Sequence, residues 1–410
     1  MAKPLTFLAT AAKGLEPVLA EELRAIGLNR VTEGRGLVRF MGKATDGYRA
    51  CLWSRIASRI LLRLGQFEAN DADGLYRGVQ QISWDQHIGE NKTIAVDFTG
   101  SSRALRHEGF AARVVKDAIV DQLREKRGER PDVERYDPDV RIRTHLNRGL
   151  VSISVDFSGN PLHLRSGGKG VRHAGLAPLK ETLAAALLRF AKWPSLSKQG
   201  RPLVDPMCGS GTFLIEAAAM AFDIAPGIRR QRWGFQGWAG YERAAWRGVL
   251  LDAQQRRDRG VARMQSDPPM IFGWDAEKRV VGSANANLGR HGLERAVALS
   301  VGSIEDLVPP SGHQPGILVV NPPYGERLGD VEELRTLYGD LGDKMRHVFL
   351  GWTGHVLTGS RELAGAIGLR AARRIPVHNG AIECRFLVFP IAEHRPTGGG
   401  PRWRQDEPTS

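Results

Sequence analysis

Gly316-Ile-Leu-Val-Val-Asn-Pro-Pro-Tyr-Gly-Glu-Arg-Leu328 decides the fold. Ile317 to Val320 is an unbroken apolar run, as in a parallel strand buried on both faces. It stops at Asn321-Pro322-Pro323-Tyr324. Proline has no N–H and cannot continue an interior strand, so the chain must leave the sheet there. The strand ends in a rigid corner carrying an amide, a carbonyl freed from the ladder and an aromatic ring. That set suits holding a flat, amino-bearing base by its edge. The Asn321 side-chain oxygen and the Pro322 carbonyl can accept from an exocyclic amine, and Tyr324 can stack on the ring. Asn321, Pro322, Pro323 and Tyr324 are the candidate catalytic residues. Alone, the tetrapeptide reads equally well as a proline turn after a core strand.

A second stretch upstream breaks that tie. Leu203-Val-Asp-Pro-Met-Cys-Gly-Ser-Gly-Thr-Phe-Leu-Ile-Glu-Ala-Ala218 reads as strand, glycine turn and helix, the nucleotide-binding logic of a doubly wound sheet. Asp205 ends the strand, Gly209 and Gly211 make the turn, and Thr212 opens the helix. The acid precedes the glycines, unlike the Gly-x-Gly-x-x-Gly dinucleotide pattern. An acid beside a cationic ligand fits a sulfonium with an amino-acid tail, which points to S-adenosylmethionine. Met270 to Asp275 reads as the next strand, with Asp275 placed for ribose hydroxyls. Ala296 to Val301 is a third strand, and the adenine is expected against Gly302 to Asp306. The candidate cofactor residues are Asp205, Pro206, Cys208, Gly209, Gly211, Thr212, Asp275, Ala276, Ser303, Ile304 and Asn321. Further strands are expected at Gly354 to Thr358 and Glu383 to Phe389. No cluster has metal-ligand spacing.

Upstream lies a smaller α+β pattern. Thr6 to Thr10 reads as a strand and Gly14 to Ile26 as an amphipathic helix capped by Gly27. A second helical stretch is expected from Ala44 to Leu64. Ile94, Val96 and Phe98 alternate as a strand, and Phe110 to Lys126 reads as a helix stopped by Gly128. Val140 to Val155 reads as a hairpin turning at Asn147-Arg148-Gly149. Basic residues crowd this unit, and phosphate contacts want such a surface. Arg103, Arg106, Arg113, Lys116, Arg141 and Arg143 are the candidate RNA contacts. Between the two nucleotide-binding landmarks, Ile224 to Gln265 interleaves arginines with aromatics. Arg232 and Trp233 join the RNA candidates from it; Trp246 reads as core, and Trp238 fits either role.

At 410 residues with a formal charge of +13, the chain is long enough for two or three domains and favours a polyanionic partner. No apolar run approaches the roughly 20 residues a spanning helix needs. The first residues lack a signal-peptide pattern, and Cys51, Cys208 and Cys384 suit reduced thiols, so a cytoplasmic protein is expected. The expected organisation is an α+β ferredoxin-like unit over residues 1–68, an RNA-binding unit over 69–165, and an α/β Rossmann-like domain over 166–392. A disordered tail would complete the chain. Ser166-Gly-Gly-Lys-Gly170 reads as flexible linker, and a helix is expected to begin at Pro178.

Asp205-Pro-Met-Cys-Gly-Ser-Gly-Thr, Asn321-Pro-Pro-Tyr-Gly-Glu-Arg and Asn379-Gly-Ala-Ile-Glu-Cys-Arg385 together resemble the RlmL class of RNA guanine-N2 methyltransferases. Arg130-Pro-Asp-Val through Val155-Asp-Phe-Ser-Gly-Asn-Pro-Leu-His163 resembles that class's THUMP module. The resemblance implies a mostly parallel seven-stranded class I methyltransferase sheet behind a ferredoxin-like and THUMP module. It implies S-adenosylmethionine as cofactor, with 23S rRNA or a precursor of the large subunit as partner. The target would be the N2 amine of a guanosine. A tRNA guanosine remains an alternative, because THUMP modules commonly present tRNA. A DNA adenine methyltransferase and a non-catalytic assembly factor are the further readings. Some relatives carry a second methyltransferase domain making 7-methylguanosine, and that activity is not expected here. Arg165-Ser-Gly-Gly-Lys replaces the class's usual Arg-Gly-Tyr-Arg, and Ser303 stands where an acid is common.

Overall fold

The computed structural model describes residues 4–165, 179–324 and 331–392. The linker Ser166 to Gly170, the helix start at Pro178, the Gly325 to Leu328 end of the opening stretch and the tail lie outside these residues.

Among the described residues the chain builds two seven-stranded sheets. The first holds β1 (Leu5–Thr10), β2 (Thr32–Gly34), β3 (Leu37–Gly42), β4 (Arg59–Glu68), β5 (Ile94–Thr99), β6 (Val140–Asn147) and β7 (Leu150–Asp156), in the order β2-β3-β1-β4-β7-β6-β5. β4 pairs antiparallel with β7 along its length, so one sheet runs across the 68/69 boundary expected between units. The helix Glu108–Arg127 buries Val115, Ile119 and Leu123. It stops where Gly128 takes a φ of +76° and donates to the Arg124 carbonyl at 2.8 Å.

One expectation changes here, and two strands are added. The helix beginning at Ala44 ends at Trp53, because Ser54 is extended, and Arg59 onward is strand β4. Tyr48 and Leu52 do face the core from the helix, but Ile60 and Leu62 do so by strand alternation. The short apolar period over this stretch fits both elements, and only pairing with β1 and β7 separates them. Strands β2 and β3 have no counterpart among the expected elements.

The second sheet holds β8 (Leu203–Asp205), β9 (Ile271–Asp275), β10 (Val297–Val301), β11 (Ile317–Val320), β12 (Thr353–Thr358), β13 (Arg373–Asn379) and β14 (Ile382–Pro390). Its order is β10-β9-β8-β11-β12-β14-β13. The first five are parallel, and β14 enters antiparallel between β12 and β13. This is the expected doubly wound α/β sheet, whose order reverses between β8 and β11. All four β11 residues are buried, as a doubly covered strand requires.

One apolar core joins the first sheet to one face of the second, and a smaller one fills the other face. The segment from Ile224 to Ser266 supplies the join. Trp233 is only 2 % exposed, stacks on Phe235 with centroids 5.7 Å apart, and lies under the Arg230 guanidinium at 4.5 Å. Phe235 in turn packs on Tyr48 at 4.5 Å and Trp246 at 5.0 Å. Trp233 therefore cannot stack on RNA; its ring closes the seam between modules. Trp238 is buried as well, against Phe157.

Candidate active site

The parallel strands end along one edge, and the register places the site residues there. Leu318 pairs with Val204 on β8, Asp205 with Gly273 on β9, and Asp275 with Val301 on β10. Asp205, Asp275, Ser303 and Asn321 thus all stand at carboxyl ends around the switch point, where open α/β sheets bind ligands.

The glycine turn is tied to the neighbouring strand. Cys208 donates its N–H to the Trp274 carbonyl at 2.7 Å, and Gly209 donates to the Asp275 carboxylate at 3.0 Å. Gly209 and Gly211 have φ of +54° and +82°, which favour glycine. A Cβ on Gly209 would meet nothing within 4 Å, so the turn keeps open space before its backbone. Gly211 caps the helix Thr212–Ala221, whose free N–H groups begin there. Asn287 donates to the Ser210 carbonyl at 2.9 Å and secures the turn from the helix Lys278–His291.

Two acids flank this cradle. Asp275 also accepts from the Glu277 N–H at 3.1 Å, so each of its oxygens is oriented and keeps a lone pair free. Asp205 is 2 % exposed and accepts the Met207 N–H at 3.3 Å. Burial pushes its carboxyl up to about 8, and the Asp275 charge adds to the rise. Burial likewise pushes the Cys208 thiol up, so it sits there as a small apolar group. A cation placed beside Asp205 would ionise it. Glycines that leave backbone room, oriented acceptors for hydroxyls and a buried acid wanting a cation fit S-adenosylmethionine.

Asn321 Oδ1 is buried and has no hydrogen-bond donor among the described residues. An unpaired buried acceptor is costly, of order 1–3 kcal/mol, so its place marks where a donor belongs. Tyr324 is half-buried against both cores, and its hydroxyl accepts from Asn379 Nδ2 at 3.2 Å and from Cys384 Sγ at 3.6 Å. Ser303 turns its hydroxyl to Asp306 at 3.1 Å, and Ile304 packs into the smaller core. Ala276 is exposed beside Asp275, while Pro206 is buried behind the turn.

The RNA candidates divide. Arg103, Arg106 and Arg113 are exposed around the start of the helix Glu108–Arg127. Arg141 and Arg143 each contact Asp97 at 3.1 Å, and Arg143 also meets Asp156 at 3.0 Å, so both brace the first sheet. Lys116 pairs with Asp117, and Arg232 with Asp137. Among the described residues no group of three or more acidic, His or Cys side chains could hold a metal. No helix of the described residues is long and apolar enough to cross a membrane.

Asn379, Cys384 and Asn287 gained no role from sequence reasoning. A signal existed for the first two: Gly380-Ala381 between alternating residues marks a two-residue hairpin.

Known proteins align with this geometry. A family model described as an RMKL-like methyltransferase domain matches residues 169–387. The models for an RlmL ferredoxin-like domain and a THUMP domain match residues 6–61 and 69–156. A protein named ribosomal RNA large subunit methyltransferase K/L from Syntrophotalea carbinolica is 46 % identical over 398 residues, which are 96 % of this chain and 55 % of that one. Its namesake in Methylococcus capsulatus is 46 % identical over 395 residues, 96 % of this chain and 52 % of that one. The chain spans about half the length of these curated relatives. The crystal structure of SMU.472 complexed with SAH has a TM-score of 0.83 at 28 % identity, covering 96 % of this chain and all of that one.

Proposed function

Since the chain belongs to the RMKL-like methyltransferase domain family, we propose that it methylates the exocyclic N2 amine of a guanosine in 23S rRNA, with S-adenosylmethionine as donor. One observation carries the reading: the buried Asn321 oxygen at the switch point, without a donor among the described residues, beside the cradle of Gly209, Gly211 and Asp275. An exocyclic amine supplies the hydrogens that this corner lacks.

Asp275 would hold the ribose hydroxyls, the N–H groups of Ser210 and Thr212 the amino-acid carboxylate, and Asp205 the cationic end. Bound there, S-adenosylmethionine supplies an electrophilic methyl group on a sulfonium. The remaining chemistry belongs to the chain. The guanine N2 lone pair is delocalised into the ring and is a poor nucleophile. Asn321 Oδ1 and the Pro322 carbonyl would accept hydrogen bonds from its two N–H groups and favour a pyramidal nitrogen with its lone pair turned outward; once that nitrogen carries the methyl group, one of its protons leaves to solvent. Tyr324 stacks on the ring and fixes its plane. Positioning and hydrogen bonding carry the catalysis. The base must be unpaired or flipped out to reach the corner.

The test is nucleoside mass spectrometry on separated 23S rRNA and tRNA, from cells with and without the gene. Loss of N2-methylguanosine from 23S rRNA is the expected result. Loss from tRNA keeps the chemistry and changes the substrate. Loss of N6-methyladenosine instead would replace guanine by adenine, whose exocyclic amine presents the same donor. No loss from any pool would overturn the reading.

A further inference from the structure

We propose that Asn379, seconded by Cys384, is a positioning residue of the methyl-transfer site: it fixes the Tyr324 ring and, through that ring, the plane of the target base. The inference rests on the reading of Asn321 to Tyr324 as the base-holding corner.

Asn379 ends β13 and Cys384 lies early in β14, joined by the hairpin Gly380-Ala381. Gly380 has a φ of +65°, and the register pairs Asn379 with Ile382 and Val377 with Cys384. This register points both polar groups inward: Asn379 is 4 % exposed and Cys384 1 %. Both reach one atom, the Tyr324 hydroxyl, at 3.2 Å and 3.6 Å. Two donors on one phenol oxygen occupy its two lone pairs and leave the ring one orientation.

The ring is also pinned along its edge. A Cβ on Gly359 would stand 3.0 Å from Tyr324 Cδ2 and 3.1 Å from Ile382 Cγ2, so the ring lies directly on that backbone. That backbone is itself held. Tyr338 donates to Thr358 Oγ1 at 3.1 Å, and the same oxygen accepts the Ser360 N–H at 3.1 Å. The ring is thus set between the ends of β12, β13 and β14, whereas Asn321 is set by β11. Base plane and amine acceptor come from different strands, and the Asn379 bond fixes one relative to the other. The sulfur contact is the weaker of the two, so Asn379 leads.

Two measurements test this. The first is a double-mutant cycle on single-turnover methylation of protein-free 23S rRNA from cells lacking the gene, with Tyr324→Phe and Asn379→Ala. Each single change should slow the step about tenfold, as expected for one lost hydrogen bond to a positioned group. The double variant should be no slower than either, and S-adenosylmethionine affinity should stay within about twofold. Independent, multiplying effects would overturn the proposal. Should Asn379→Ala not fold, Cys384→Ala against Cys384→Ser carries the same cycle. Serine keeps a donor and should restore rate; equal loss in both would overturn it.

The second measurement needs no RNA. NMR of ring-labelled tyrosine, with Tyr324 assigned from the Tyr324→Phe spectrum, should show slow ring flips in the parent and fast ones in Asn379→Ala. Unchanged flipping would sink the clamp. Slow flips in a protein that methylates no RNA would leave the clamp standing and remove the proposed function.

Discussion

Asp205 shows what its proposed role in the site would cost the fold. Its folded carboxyl titrates near 8 against 3.8 when unperturbed. A raised carboxyl contributes stability below its unfolded value and loses it as pH climbs through the folded one. Burying this acid therefore destabilises the ligand-free protein increasingly between about pH 4 and pH 8. Asp205→Asn should raise the melting midpoint by at least about 2–4 °C at pH 8, the size of a 1 kcal/mol effect, and less at pH 5. The same change should weaken S-adenosylmethionine binding at least about tenfold. Calorimetry would show parental affinity rising with pH up to about 8 and the variant flat. Asn321 separates from it cleanly. Asn321→Ala removes the proposed amine acceptor but not the cradle, so turnover should fall about 100-fold with cofactor affinity little changed. Unchanged single-turnover rates would take Asn321 out of the mechanism.

At the level of elements, the turn between β8 and the helix Thr212–Ala221 does most. In the proposed site it would bring the N–H groups of a helix end to a ligand, through two glycines in the left-handed region. Gly211 also lies close to the next helix, where an added Cβ would stand 3.4 Å from Ala284 Cβ. Gly211→Ala should lower folding stability by about 1–2 kcal/mol through the positive φ and weaken cofactor binding several-fold. Thermal melting with and without S-adenosylmethionine would read both, and an unaffected ligand-induced shift would count against the cradle. The β13–β14 hairpin is the other working element. Its inward residues hold the ring that, in the proposed site, would stack on the base.

Across the whole molecule, buried charges lock the modules together. Glu22 in the helix Glu16–Ala25 accepts from Ser54 Oγ at 2.7 Å and from the Arg55 and Ile56 N–H groups at 3.2 Å. Arg55 reaches into the catalytic domain, donating to the Ala219 carbonyl at 3.0 Å and to that of Ile224. Arg165 bridges back, from Glu216 at 2.9 Å to the Arg55 carbonyl at 2.8 Å. Glu216 sits in the helix that opens at the glycine turn, so the first sheet's module is fixed to that turn rather than tethered. Glu216→Ala leaves Arg55 and Arg165 buried without their carboxylate and should cost about 3–5 kcal/mol. Scanning calorimetry would register it as an early transition. On the outer surface, Arg103→Ala with Arg106→Ala should flatten the dependence of RNA affinity on salt, by about 0.7–0.9 in log–log slope for each phosphate no longer neutralised. An unchanged slope would move the RNA to another face.

What the sequence determined by itself is local. A four-residue apolar run before two prolines must be a buried strand that ends, and an acid followed by spaced glycines must be a strand, a turn and a helix. The order of those landmarks set the α/β class and brought Asp205, Gly209, Gly211, Asp275 and Asn321 to one edge. Only the tertiary structure decided what depends on partners distant in sequence. Residues 54–64 hold apolar side chains compatible with helix or strand, and pairing with β1 and β7 makes the end of that stretch a strand. Trp233 is as suited to an RNA base as to a core, and Phe235, Trp246 and Arg230 claim it. Arg141 and Arg143 carry the same charge free or paired, and Asp97 and Asp156 pair them. Asn379 and Tyr324 are 55 residues apart in the chain, and only the place of β13 and β14 beside β12 makes them neighbours. Periodicity and turn chemistry act over a few residues and can be read directly. Burial, ion pairing and side-chain clamps depend on which surfaces meet, and that is settled only when the two sheets close on a common core.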